Sequence, residues 1–341
     1  MALAAFSVAA CRGAAGAPVR AIAVLQDGSS SDTRDVVSPA VLGARLAFDG
    51  SGFAFDVVDV GGDASEALDG LAAVIADPDV AGIVIAPYTM LPADGWTSLA
   101  TARVPVVVLS EAAPRTPRSD AWRSLVPRIS AEAAALVSAG DGRPICMTGD
   151  GSAWSRLLTS EVRRAVHRLS PAGPEPMVRA VDPGSPPTDC GIVLWTGSAA
   201  GAVALQTAPS DVALAVGSRA RTASLLERTG PVAGLVSGVC GCVDVGTSSD
   251  PHVQGFVHDF QASTGLDPGP YAVEGYDAGS MLRRALEGEP SPVQARTSLS
   301  TRTSYKGVAS RYVWDPQGDL EAPTVRTYAA RGWRWLESTS G

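Results

Sequence analysis

Residues able to do covalent chemistry are sparse in this 341-residue chain, and their spacing assembles no catalytic set. The three histidines are His167, His252 and His258. His167 sits among Arg163, Arg164 and Arg168, the context of a solvated helix face. His252 and His258 are six apart and fall on different faces of a helix. There is no G-x-S-x-G elbow, and no G-x-G-x-x-G follows the first apolar run. Gly149-Asp150-Gly151-Ser152 is glycine-rich but lacks the lysine that grips a phosphate. No CxxC and no Cys/His cluster has zinc spacing, so neither a metal nor a cofactor is expected, and the chain does not read as an enzyme. What remains is the chemistry of non-covalent recognition. Hydroxyl, aromatic and carboxylate groups gather in short loops behind apolar runs: Asp27 to Ser31, Pro87-Tyr88-Thr89, Ser110-Glu111-Ala112, Asp150 to Trp154, Thr196 with Ser198, and Ser218.

Those loops are placed by a regular alternation of elements. Apolar runs predict strands over 20–25, 53–60, 82–86 and 105–109, with helices over 36–48, 63–76 and 93–102 between them. After a strand-like link (122–129) and a helix (130–139) the pattern restarts. Strands are expected over 144–148, 177–181, 191–195, 212–216 and 234–239, and helices over 153–169, 199–206 and 219–228. Val/Ile runs without polar alternation suit parallel sheets covered on both faces, and this rhythm implies βαβ units with right-handed crossovers. The fold class is therefore α/β, with two successive doubly wound units. Two helices (251–264 and 270–286), a polar Ser/Thr stretch (297–304), a strand (308–314), a turn (315–319) and a final strand pair (324–335) complete the chain. Hydrophobic residues make up 45% and charged residues 18%, enough apolar material for two cores. The net charge of −8 and the absence of a basic stripe argue against a nucleic-acid partner.

Residues 1–10 are small and apolar and end in Val8-Ala9-Ala10-Cys11, similar to a bacterial lipobox. Residues 1–17 are expected to be a signal and tether lipidated at Cys11, against the alternative of a frayed apolar tail. No later run approaches the roughly 18 apolar residues that a membrane span needs. An exported protein permits disulfides. Cys146 and Cys190 are expected to pair if their strands are neighbours, with buried free thiols as the alternative. Cys240-Gly241-Cys242 is expected to be too close for an easy bridge.

Several segments together resemble one family. Phe256-Val257-His258-Asp259-Phe260 through Thr264-Gly265, then Pro270-Tyr271-Ala272-Val273-Glu274-Gly275-Tyr276-Asp277-Ala278, is similar to the helix pair of type I periplasmic binding proteins. The match is to their branched-chain amino-acid and amide receptors, which serve ABC importers. Lys306-Gly307-Val308-Ala309 with Trp314 to Asp319 resembles that family's "GvtG…FDpdGD" element, and 324–335 its final hairpin. Upstream, Asp77 to Pro87 and Pro105 to Ser110 resemble its "dvdaiiGp" and "vPvis" strands.

The resemblance implies a Venus flytrap: two lobes joined by a three-strand hinge, closing on a small molecule. Lobe 1 would comprise 18–128 plus 249–317, and lobe 2 129–248 plus 318–341. Family members hold the ligand carboxylate with hydroxyls and amides, a part that falls here to Thr89 and Ser110, with Tyr88 walling the pocket. Trp154 stands where the family has a tyrosine, and Thr196, Ser198 and Ser218 follow lobe 2 strands. The family's acidic ammonium-binding residue is replaced near Ser218 by Arg219, which puts an α-amino-acid ligand in question; Glu111 is a substitute from the opposite lobe. Tyr276 and Asp277 fall on the "YDA" helix near the hinge. The implied protein is a monomer, lipid-anchored outside a bacterial cell membrane, with an ABC permease as partner. The alternatives are a sensing protein that signals to a membrane partner and a degenerate binding protein without ligand.

Overall fold

The computed structural model describes residues 20–28, 31–61, 63–114, 122–169, 179–180, 190–206, 212–229, 236–246, 248–289, 291–308 and 310–338. Cys11 and residues 1–17 lie outside them. The first sheet holds β1 (Ala21–Gln26), β2 (Ala54–Asp59), β3 (Val80–Ile85), β4 (Val106–Val108) and β5 (Trp122–Ser124) in the order β2-β1-β3-β4-β5. All its pairings are parallel. Helices α1 (Ser31–Phe48), α2 (Ala64–Ala76) and α3 (Ala93–Thr101) connect the first four strands. Successive strand residues point to opposite faces. Ala23, Leu25, Ile83 and Ile85 pack on Leu71, Trp96 and Leu99 of α2 and α3. Ile22, Val24 and Val84 face the other way, toward Val37 and Ala40 of α1.

Beyond β5 the chain passes to the second lobe through residues 125–128. There α4 (Ile129–Ser138), β6 (Ile145–Thr148), α5 (Ala153–Leu169), β7 (Arg179–Ala180), β8 (Ile192–Trp195), α6 (Ala199–Gln206), β9 (Ala213–Val216), α7 (Ala223–Thr229) and β10 (Val236–Cys240) follow. The chain then returns to the first lobe as α8 (Pro251–Thr264), α9 (Ala272–Gly288), α10 (Pro292–Ser300) and the small antiparallel pair β11 (Ser304–Lys306) and β12 (Arg311–Val313). It crosses once more to add β13 (Arg326–Arg331) and β14 (Arg334–Glu337) antiparallel to the second sheet, whose order is β14-β13-β10-β9-β8-β6-β7.

Sequence chemistry sets the ends of the late helices. Asp250 caps α8 by accepting from the His252 amide, Pro251 opens its first turn, and Gly265 closes it at φ 71°. Helix α9 fills the face of the first sheet beside α1. The two helices approach closely because a Cβ on Gly43 or Gly275 would fall inside contact distance of the Ala272 or Ala40 carbonyl.

Three expectations are corrected. Helix α10 occupies much of the stretch read as polar, because Ser291 caps it, Pro292 opens it, and Ala295 and Leu299 are buried. The expected helix over 219–228 is divided into a 3₁₀ turn (Ser218–Ala220) and α7. Cys240 and Cys242 are bonded to each other, with Cα atoms 5.1 Å apart. Cys240 is the last residue of β10, and beyond it the chain bends through Gly241, so the extended geometry that would hold the sulfurs apart is lost. Cys146 of β6 and Cys190, two residues ahead of the neighbouring β8, form the other described disulfide.

Candidate functional site in the interlobe cleft

The carboxyl ends of the parallel strands in the two sheets border one gap, where open α/β sheets place ligands. Between them lies a cleft of about 760 Å³ lined by both lobes. The first lobe contributes Asp27 behind β1, Gly61 behind β2, the start of α2, and Tyr88, Met90 and Leu91 behind β3. The second lobe contributes Asp150 to Trp154 behind β6, Ser198 behind β8 and Arg219 behind β9.

The lobe 2 wall is tied together by side-chain hydrogen bonds. Ser152 caps α5, its Oγ accepting from the Ser155 amide at 3.2 Å. Asp150 accepts from the Ser152 amide at 3.0 Å and from the Ser198 amide at 2.8 Å, joining two loops that are 48 residues apart. Burial raises the Asp150 pKa, but the Ser152 and Ser198 hydrogen bonds and the Arg219 charge outweigh it and hold the carboxyl below its usual 3.8. Arg219 donates from Nη1 to Ser152 Oγ at 3.0 Å. The wall thus presents a carboxyl group, a guanidinium, a hydroxyl and an indole, suited to a ligand with both donors and acceptors.

On the hinge side the gap is filled by the protein itself. Tyr88 of lobe 1 stands edge-on to Trp154 of lobe 2, with centroids 4.9 Å apart, and edge-on to Tyr271 at 5.8 Å. The Tyr88 hydroxyl and Trp154 Nε1 are buried with no hydrogen-bond partner among the described residues. Beneath them two carboxyl groups converge. Glu132, in the first turn of α4, accepts from the Ser218 amide at 2.7 Å and from its hydroxyl at 2.8 Å. Glu111, behind β4, accepts from the Tyr271 hydroxyl, and its Oε2 lies 3.5 Å from Ser218 Oγ. One serine hydrogen cannot serve both carboxyl groups. Burial, and then the Glu132 charge, push the Glu111 pKa well above its normal range, which favours the protonated form of this side chain. Burial, and then the nearby Glu111 and Glu132, raise the Tyr88 and Tyr271 pKa values as well.

The residues singled out in the sequence are divided by this arrangement. Tyr88, Trp154 and Ser198 line the cleft. Glu111 and Ser218 belong to the buried hinge-side cluster. Thr89 and Ser110 turn away from the cleft: Thr89 Oγ1 donates to the Leu25 carbonyl at 3.3 Å and Ser110 Oγ to the Thr89 carbonyl at 2.8 Å. Thr196 is buried within lobe 2 among the Ser155 and Thr159 hydroxyls. Tyr276 packs against Phe256, 5.3 Å between centroids, away from the cleft lining. Asp277 accepts from the Val308 amide and the Tyr312 hydroxyl, both at 2.8 Å, and secures α9 to the small sheet. Sequence reasoning missed Glu132. The signal was present: in the helical frame of Ile129, Ala133 and Leu136 it is the one carboxylate on the apolar face. Among the described residues, no cluster of His, Cys, Asp and Glu is arranged to hold a metal.

No protein-family model matches the chain, and no curated protein matches its sequence. Solved structures do match. The branched-chain amino-acid substrate-binding protein LivJ of Streptococcus pneumoniae, in complex with isoleucine, superposes with a TM-score of 0.73 at 14% identity, covering 94% of this chain and 100% of that one. The leucine-binding protein LivK of Thermotoga maritima gives 0.73 at 17% identity over 94% and 98% of the two chains. A possible leucine/isoleucine/valine-binding protein of Rhodopirellula baltica gives 0.77 at 13% identity over 94% and 96%. The chain has the two-lobed α/β fold of these type I binding proteins.

Proposed function

We propose that the chain is an extracytoplasmic solute-binding protein that captures a small polar ligand between its lobes and delivers it to an ABC importer. The observation that carries this reading is the 760 Å³ cleft walled by both lobes at the strand ends. A molecule that touches both walls favours the closed arrangement by its differential contacts, the physical requirement for a capture device. The likeness in fold to LivJ and LivK supports the same reading. The ligand class is an amino acid, an amide or a small carboxylate, in keeping with the mixed donors and acceptors of the wall. Attachment to the outer face of the membrane through Cys11 and action as a monomer belong to the same proposal.

A second reading draws on the filled hinge side. Tyr88, Trp154, Tyr271 and Glu111 occupy space that a ligand would otherwise claim, as they would in a two-lobed protein that no longer captures solute. A thermal-shift screen against amino acids, amides and small carboxylates separates the two. A ligand at 100 times its dissociation constant adds about 2.7 kcal/mol of stability. Capture requires at least one such shift, lost or strongly reduced in Trp154→Ala. A broad library without any shift rejects capture in favour of the second reading.

A further inference from the structure

The two described disulfides differ in what they do for the fold. Cys146–Cys190 spans a sequence separation of 44, whereas Cys240–Cys242 spans 2. Cross-linking stabilises in proportion to the logarithm of the loop closed, so the second bond restrains the unfolded chain little. Its position is distinctive: it caps β10 where the chain leaves lobe 2 for lobe 1. Gly241 between the sulfurs packs on Pro127 of the first crossing, so closely that a Cβ there would lie 2.5 Å from the proline Cδ.

Beside it stands a cation without an anion. Arg221 is buried, and among the described residues no carboxylate pairs with it. Its guanidinium lies 4.0 Å over the Tyr328 ring, its Nε has no partner, and its Nη2 reaches Cys242 Sγ at 2.8 Å. Burying a guanidinium without a counter-charge is unfavourable, and a disulfide sulfur is a weak, neutral acceptor. A Cys242 thiolate at the same place would be the missing counter-ion. The surroundings therefore favour the reduced pair over the oxidised one, the electrostatic condition for a reactive disulfide.

We propose that Cys240 and Cys242 form a thiol–disulfide exchange site at the hinge, reduced by a dithiol and poised by Arg221. One thiolate of the dithiol attacks Cys240 Sγ, the protein S–S bond breaks, and Cys242 leaves as a thiolate against Arg221. The second thiol of the reductant, once deprotonated, attacks the mixed disulfide at the reductant's own sulfur and expels Cys240, which takes up a proton. Two electrons pass to the protein, and the dithiol becomes a disulfide. Both sulfurs are fully buried, so attack requires the two crossings to part. The proposal does not rest on ligand capture.

The test uses the folded full chain with graded dithiothreitol, acid quenching, alkylation and peptide mass spectrometry. Cys240 and Cys242 are expected to become alkylatable at a dithiothreitol concentration at least tenfold below that for Cys146 and Cys190. Arg221→Gln should raise that concentration at least threefold and leave the other bridge unmoved. Equal or later reduction of Cys240–Cys242, or no effect of Arg221→Gln in a folded variant, overturns the proposal. In the reduced wild type, the pH profile of Cys242 alkylation should have its midpoint below the ordinary thiol value of about 8.5. A midpoint at or above that value rejects the role of Arg221 even if the variant does not fold.

Discussion

Tyr88 from one lobe meets Trp154 from the other edge to face, their ring planes at 87°. The contact closes the inner end of the cleft and leaves two polar atoms, the Tyr88 hydroxyl and the Trp154 Nε1, without hydrogen-bond partners among the described residues. Both residues belong to an apolar cluster that draws on the two lobes.

The two rings should respond differently to substitution. Trp154→Ala removes a fully buried indole and is expected to cost about 3–5 kcal/mol in urea denaturation. Tyr88→Phe keeps the edge-to-face packing and deletes an unpartnered hydroxyl, so its midpoint should hold or rise, by up to about 1 kcal/mol. A loss above about 2 kcal/mol in Tyr88→Phe would show that the hydroxyl is well bonded in solution.

Stability should fall as pH rises from acid toward neutral. Glu274 is fully buried, and its pKa is raised from 4.5 to about 7, chiefly by burial. Above about 4.5 the unfolded chain releases this proton while the folded chain keeps it, so stability declines through that window and levels off beyond about 7, a loss of about 3 kcal/mol. Glu111 adds in the same direction. Glu274→Gln and Glu111→Gln should each flatten the decline of melting temperature between pH 5 and 7. An unchanged slope in both would contradict the burial of these carboxyl groups as acids.

Asp150 acts with the opposite sign. Its pKa is lowered, so its contribution is complete above its unfolded value of 3.8 and is lost as pH falls through the lower folded one. Asp150→Ala frees the Ser152 and Ser198 amides and should cost about 1–2 kcal/mol. Any ligand-induced thermal shift should shrink with it. A full-sized shift in this variant would take the lobe 2 wall out of the binding site.

Replacing Cys146 and Cys190 together with alanine should lower stability by roughly 4 kcal/mol, from the loop that their bond closes in the unfolded chain. Non-reducing denaturation of the double variant measures it. A loss under about 1 kcal/mol would mean that the unfolded chain is already constrained there.

The alternation of apolar runs and helices made the two doubly wound units legible, because buried parallel strands such as Val80–Ile85 write themselves as short apolar runs without polar alternation. The loops behind those strands were legible as well, and Tyr88, Trp154 and Ser198 indeed meet at the cleft. What each side chain does inside a loop was less so. Thr89 and Ser110 spend their hydroxyls on nearby carbonyls, a local choice that residue type does not declare. The acid cluster was hidden for another reason. Its hydrogen bonds join Ser218 to Glu132 across 86 positions and Tyr271 to Glu111 across 160, and no pattern along the chain encodes such meetings. Arg221 beside Cys242 is of the same kind, since a strand and a turn must fold before they touch.

The order of elements has a consequence for how the molecule is made. Helix α9, which covers the first sheet beside α1, comes after every strand of the second lobe except β13 and β14. A nascent chain emerging from the ribosome therefore leaves the part of its opening sheet beside α1 uncovered at least until α9, ending at Gly288, has been translated. The middle lobe, nearly continuous in the chain, is able to condense first and stand as a template while its elder neighbour waits for its cover.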